Sequence, residues 1–192
     1  SPTRFLWDWH QEYLLGNQVS KLNQEWGIKI LQHFLRIWDR QSANRVDQFV
    51  AISKNVQQRI KKYYGRDSVV IYPPTQKFDL FKESGANLEI PTYFLIVSRL
   101  FPHKNIDIAI KAFNKLELPL VIIGSGPEDG RLKKMIENKS MIKLIGKVTD
   151  EKLGEYYTRA KVFVMPQEED FGLTPLEAMS FGKPVLALRK GG

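Results

Sequence analysis

Glu169-Asp170-Phe171-Gly172-Leu173-Thr174-Pro175-Leu176-Glu177, continued by Ala178-Met179-Ser180-Phe181-Gly182-Lys183-Pro184-Val185, is the stretch from which the rest of the chain is read. It carries two glutamates eight positions apart, with a glycine between them and a helix start just before the second. Thr174 is positioned to cap that helix, Pro175 suits its first position, and Glu177 falls at the third. Thr174-Pro175-Leu176-Glu177 is therefore a capping box by spacing alone. A helix that begins behind a glycine loop also presents free backbone N–H groups and the positive end of its dipole, which together suit a phosphate. Two readings of Glu177 stand side by side, a helix cap and a ligand-binding carboxylate. Glu168, Glu169 and Asp170 likewise read either as part of a site or as a solvated acidic loop.

Working outward, the stretch is flanked by apolar runs at 161–165 and 184–188, both read as strands. The same alternation runs back to Tyr93. Strands are predicted at 93–98, 119–123 and 142–145, and helices at 104–116, 128–137, 150–159 and 174–181. Strands and helices alternating at this spacing imply an α/β domain with a parallel sheet covered on both faces. In such sheets ligands sit beyond the carboxyl ends of the strands. Ser98-Arg99, Gly124-Ser125-Gly126, Gly146-Lys147-Val148, Pro166 to Gly172 and Arg189 to Gly192 all fall there. Arg99 and Lys104 flank the loop Leu100-Phe101-Pro102-His103. A cation at Lys104, near a helix start, opposes the local dipole, which is explained if both side chains face a diphosphate. A bidentate Arg and a point-charge Lys neutralise a pyrophosphate between them without metal.

Several common site chemistries are absent. Gly124-Ser125-Gly126-Pro127 fails the dinucleotide fingerprint because Asp129 stands where its third glycine belongs, and no P-loop motif occurs. It reads as a tight turn, with or without a nucleotide against it. No G-x-S-x-G supports a serine nucleophile. The chain has 0 cysteines and 3 histidines at positions 10, 33 and 103, which excludes disulfides and gives no metal-ligand spacing. No D-x-D motif is present. No apolar run approaches the roughly 20 residues of a membrane span.

The amino-terminal part reads as a separate piece. Residues 19–40 place Leu22, Trp26, Ile30, Phe34, Ile37 and Trp38 at helical spacing. A core-facing amphipathic helix is expected, and a surface-lying membrane helix is the alternative, since Lys21, Lys29, Arg36 and Arg40 accompany the stripe. Val46–Ser53 reads as a strand, Ser53 as the cap of a helix over 54–64 that ends at Gly65, and Val69–Tyr72 as a second strand stopped by Pro73-Pro74. Residues 75–90 lack periodicity, so 1–74, 75–92 and 93–192 are taken as domain, linker and domain. The net charge of +8 is concentrated at this end, with 11 Lys+Arg against 6 Asp+Glu in residues 1–75. It fits an anionic partner. Arg59, Lys61, Lys62 and Arg66 form a basic cluster compatible with peripheral docking on an anionic membrane.

Residues 93–192 resemble the donor-binding domain of retaining GT-B glycosyltransferases of family 4. The matching pieces are Val97-Ser98-Arg99-Leu100 with Lys104-Asn105, Ile123 to Pro127, Leu144 to Val148, the Glu169–Glu177 pair as E-x7-E, and Gly182-Lys183-Pro184-Val185 with Gly191-Gly192. Residues 1–74 resemble the end of the acceptor-side domain. Pro2 to Asp8, Trp38-Asp39 with Ser42 to Asp47, and Val70 to Pro74 are most similar to a subgroup that includes bacterial O-antigen mannosyltransferases. The resemblance implies a GT-B fold, a Rossmann-like donor domain beside the end of a second Rossmann-like domain. Members are about twice this length, so the start of the acceptor domain, with its histidine, and the end of the donor domain are expected to lie outside these 192 residues.

The resemblance further implies a nucleotide-diphosphate-sugar donor, no cofactor and no metal. The diphosphate would lie near Arg99, Lys104 and the amides of Gly172, Leu173 and Thr174, with Ser98, Gly124, Gly126 and Phe171 in the donor site. Glu177 would hold the ribose, Lys147 and Val148 would lie against the base, and Glu169 would support charge at the anomeric carbon. Transfer would retain anomeric configuration, from GDP-mannose to a glycan or lipid-linked acceptor, in the cytoplasm at the inner membrane face. Two rivals are weighed. One is a nucleotide-sugar-binding module without transferase activity. The other, a nucleic-acid binder, is set aside because aromatics are not interleaved with the basic residues and Glu168, Glu169 and Asp170 would repel phosphate.

Overall fold

A computed structural model describes residues 2–8, 22–74 and 93–192. The expected linker 75–92 and the first turn of the helix expected from residue 19 lie outside the described residues. The chain divides into two compact units, Ser1–Pro73 with Gly191–Gly192, and Pro74–Lys190.

The first unit contains α1 (Arg4–Trp7), α2 (Leu22–Ala43), β1 (Val50–Ala51), α3 (Lys54–Tyr64) and β2 (Val69–Val70). β1 and β2 pair in parallel across α3, a β-α-β unit. The Ser53 hydroxyl accepts from the Val56 amide at 3.2 Å, and Gly65, at φ 70°, closes the helix in the left-handed region. Ala51, Val56 and Ile60 are buried between strand and helix. A polar network fastens α1. The Trp7 indole N–H and the Tyr64 hydroxyl both donate to Asp39 Oδ2, at 2.8 and 2.9 Å. Buried Arg59 pairs with Asp8 at 2.7 Å and donates to the Pro2 carbonyl. Asp39→Ala leaves two donors without their acceptor and is expected to destabilise the unit by about 2 kcal/mol. An unchanged urea midpoint would assign the network no such role.

Two expectations for this unit are corrected. The strand expected over 46–53 shrinks to Val50–Ala51, because the Arg66 guanidinium donates to the carbonyls of Ala43, Val46 and Asp47 at 3.2, 2.8 and 3.1 Å. Those carbonyls are thereby held outside a strand ladder. The apolar stripe of α2 does not face the core. Trp26, Phe34 and Trp38 are 65%, 63% and 66% exposed, since the described part of the unit offers only one short β-α-β layer. Each cation of the basic cluster has a partner within the unit. Arg59 and Arg66 hold backbone and Asp8, Lys61 pairs with Asp67 at 2.8 Å, and Lys62 lies over the Tyr63 ring.

The second unit is a parallel sheet of β3 (Tyr93–Val97), β4 (Leu120–Ile123), β5 (Ile142–Gly146), β6 (Ala160–Met165) and β7 (Val185–Ala187), in the order β5-β4-β3-β6-β7. Helices α4 (Ile106–Leu116), α5 (Asp129–Met135), α6 (Asp150–Arg159) and α7 (Leu173–Ser180) connect the strands. Alternation with period 2 sorts the strand residues between two cores. Ile96, Leu120, Ile122 and Val164 pack with α4 and α5, while Leu95, Val121, Phe163 and Met165 pack with α6 and α7. Burial on both faces explains why the inner strands β4, β3 and β6 read as nearly continuous apolar runs. The helix expected over 128–137 stops at Met135 because the Asn114 side chain takes the Met135 carbonyl at 2.8 Å and its Oδ1 receives the Glu137 amide. Strand order reverses between β3 and β6, so the topological switch point lies between the loops that follow them.

Candidate functional site

Those two loops meet. After β3 the chain runs through a 3-10 turn, Pro102–Lys104, and Asn105 in the left-handed region at φ 54° before α4 begins at Ile106. Lys104 therefore ends a 3-10 turn and does not start the helix as expected. Its side chain is buried, at 8% exposure, and its Nζ bonds Glu169 Oε1. The residues are 65 positions apart in sequence and are joined only because β3 and β6 are neighbours. The Glu169 carboxylate also receives Gln167 Nε2 at 3.3 Å. Gln167 is 3% exposed, so the carboxylate rests on a cation and a buried amide.

α7 starts differently from its expected capping box. Its N-cap is Gly172 at φ 81°, with no side-chain cap, which places Thr174 second, Pro175 third and Glu177 fifth. Glu177 is consequently not a capping residue. A helix leaves its first four N–H groups without partners inside it. Pro175 has none to leave, so the groups of Gly172, Leu173 and Thr174 remain at the positive end of the dipole. Gly172 is required here by its backbone, and a Cβ would meet Pro175 at 3.0 Å.

The Glu177 side chain is held from beneath. Tyr157 on α6, wholly buried, donates its hydroxyl to Glu177 Oε2 at 2.9 Å and lies 3.4 Å from the Thr174 carbonyl. Its ring stacks on Phe181 at 5.2 Å. Burial, then the Glu177 charge and hydrogen bond, push this phenol far above its ordinary pKa, so it stays a donor.

The loops after β4 and β3 pack backbone to backbone. Ser98 N–H donates to Ile123 O, and Leu100 N–H to Ser125 O, both at 3.0 Å. The room a side chain would need at Gly124 and Gly126 is taken by the carbonyl oxygens of Ser98 and Leu100. Both glycines thus serve the approach of these loops, which holds Ser98 and Arg99 at the strand end. Arg99 is exposed, its guanidinium 5.7 Å from the Phe101 ring centre, and among the described residues it has no carboxylate partner. Lys147 and Val148 follow β5 and line an open hollow of about 560 Å³ with Thr149, Asp150 and Glu151. Phe171 is partly exposed. Glu168 pairs with Lys190 at 2.9 Å, tying the loop after β6 to the segment after β7. The acidic run is therefore not simply solvated. Among the described residues no three His, Cys, Asp or Glu side chains gather as a metal site.

An open helix N-terminus, an exposed Arg and a Lys–Glu contact at the switch point of a parallel sheet accompany a match over residues 76–192 to the family described as "Glycosyl transferases group 1". The chain belongs to this family. The chain is 29% identical over 163 residues to the O-antigen chain mannosyltransferase RfbU of Salmonella typhimurium, a match covering 80% of this chain and 45% of that protein. It is 28% identical over 164 residues to an uncharacterised glycosyltransferase of Methanocaldococcus jannaschii, over 82% of this chain and 44% of that protein. The chain thus spans about half the length of the curated relatives it matches. Among solved structures it is similar to the pneumococcal O-GlcNAc transferase GtfA, in complex with UDP and GlcNAc. The TM-score is 0.62 and the identity 28%, over 81% of this chain and 32% of that one. The architecture is the GT-B type.

Two residues that shape the candidate site were not singled out from sequence. Gln167 lies within the loop flagged at the end of β6, but nothing marked its amide as a partner of Glu169. Tyr157 carried a weak signal. It follows Leu153 by four positions on the apolar side of α6, where a buried phenol needs an acceptor.

Proposed function

We propose that this protein is a retaining, metal-independent hexosyltransferase of glycosyltransferase family 4. It moves a sugar from a nucleotide-diphosphate donor to a glycan or lipid-linked acceptor. The single observation that carries the reading is the contact of Lys104 with Glu169 beside the open N-terminus of α7. It joins a phosphate-binding cation to a carboxylate where the sheet reverses. In this reading Arg99, Lys104 and the amides of Gly172, Leu173 and Thr174 bind the diphosphate and stabilise the charge it gains as it leaves. Glu169 lies by the donor sugar and supports the positive charge that grows at the anomeric carbon. Glu177 accepts from ribose hydroxyls, and Lys147 and Val148 adjoin the base.

The O-antigen chain mannosyltransferase name of the Salmonella relative supports mannose as the sugar and a growing polysaccharide as acceptor, and GDP-mannose is the donor of this reading. That acceptor places the work in the cytoplasm, peripherally at the inner membrane face. No helix among the described residues is long and apolar enough to cross a membrane. A thermal-shift screen over UDP-, GDP- and ADP-sugars, followed by an assay for released nucleoside diphosphate, tests the proposal. Stabilisation by one donor class together with release is expected. Stabilisation without release would favour a binding module, and neither would reject the donor site.

A further inference from the structure

We propose that Tyr157 is a positioning residue for Glu177, fixing one carboxylate oxygen from the core side so that the other is aimed at ligand hydroxyls. The inference rests on the reading of Glu177 as the ribose-binding carboxylate. The geometry behind it belongs to this chain. Tyr157 is 0% exposed, and its ring is fixed by Phe181 at 5.2 Å and Phe163 at 6.0 Å. A phenol locked in this way has one proton to give, and it is given to Glu177 Oε2 at 2.9 Å. One carboxylate oxygen is thereby held, while Oε1 keeps its lone pairs for another donor.

The same hydroxyl stands 3.4 Å from the Thr174 carbonyl in the first turn of α7. With its one proton given to Glu177, the hydroxyl packs against this turn without bonding it. No capping bond orients Glu177, since the helix is capped by Gly172 and Glu177 is its fifth residue. Without Tyr157 the carboxylate would be free to turn about its side-chain torsions, and a hydroxyl-binding acceptor would lose its direction. A hydrogen bond from a neutral, deeply buried donor does this without cancelling the carboxylate charge, as a cation in the same place would.

The test separates aim from mere stability. Binding of UDP, GDP and ADP is compared with that of their 2′,3′-dideoxy counterparts, using the nucleotide that binds most tightly. The wild-type chain should prefer the ribonucleotide by about tenfold or more, as for a hydrogen bond to a charged group. Tyr157→Phe keeps the stacked ring. It should lose most of that preference while the dideoxy affinity stays within about twofold, since only the aimed bond is lost. Glu177→Gln should lose the preference as well, and the double variant should add nothing further. Ile110→Val, in the core on the opposite face of the sheet, should lower the melting temperature and leave the preference intact.

A Tyr157→Phe chain that keeps the wild-type preference, or weakens both ligands equally, overturns the positioning role while leaving Glu177 on the ribose. A wild-type chain with no preference removes the ribose reading of Glu177 and this inference with it. Failure of every nucleotide to bind removes the donor site itself.

Discussion

Glu169→Gln is expected to lower turnover about 10²–10³-fold in the intact enzyme while leaving the donor KM within a few-fold, the pattern of an interaction made chiefly in the transition state. The substitution keeps the length of the side chain and its capacity to bond Gln167, but removes the charge. In the folded chain that charge is fixed by two donors, Lys104 Nζ and Gln167 Nε2, both on buried side chains. A carboxylate held this way needs little reorganisation when positive charge grows beside it, which is why its loss should fall on the chemical step. Lys104 would lose its ionic partner in the variant and should bind the diphosphate no worse. The measurement is the rate of nucleoside-diphosphate release at saturating donor, with the donor KM from the same data. Wild-type turnover would remove Glu169 from the chemistry, and a KM effect alone would make it a binding group.

Gly124→Ala is expected to have the largest effect on stability, above about 4 kcal/mol, because its mechanism is a backbone clash and not a lost contact. The new Cβ would lie 1.8 Å from the Ser98 carbonyl oxygen, and the backbone sits at φ 143°, where side chains are strained. Gly126→Ala meets the Leu100 carbonyl oxygen at 2.3 Å and should follow closely. Neither obstacle is a flexible side-chain end, so relief requires separating the loops after β3 and β4. Gly130→Ala is the matched control. It lies within α5 with open space around it, and should stabilise by about 0.5–1 kcal/mol. Urea unfolding of the three variants decides the matter. A Gly124→Ala midpoint equal to wild type would show that these loops do not pack as described. The consequence reaches the site, since the same contact holds Arg99 at the end of β3.

The sheet of the second unit was legible because its inner strands are buried on both faces and helices alternate with all five strands, so the pattern repeats and each repeat supports the others. The loops at the strand ends were legible for the same reason, as topology sends every β-α connection to one edge. What sequence did not disclose depends on contacts between distant residues. The capping box at Thr174 is sound locally, but the chain enters α7 through Gly172 in the left-handed region, and Glu177 is claimed by Tyr157, twenty residues earlier. Lys104 looked like a misplaced helix-start cation, and its partner 65 residues away resolves the misplacement. Val46 to Phe49 has strand composition, yet Arg66 takes the carbonyls of Val46 and Asp47. The stripe on α2 has the period of a buried face, but periodicity states only that a face is apolar and not what covers it.

Calorimetric titration of a nucleoside diphosphate into the wild-type chain and into Arg99→Ala tests the central claim most directly. Arg99 is exposed and among the described residues has no carboxylate partner, so its removal should leave the fold intact. The account predicts saturable binding to one site, weakened about tenfold or more in the variant, as for loss of a charge-assisted phosphate contact. Equal affinity in the two proteins would contradict it.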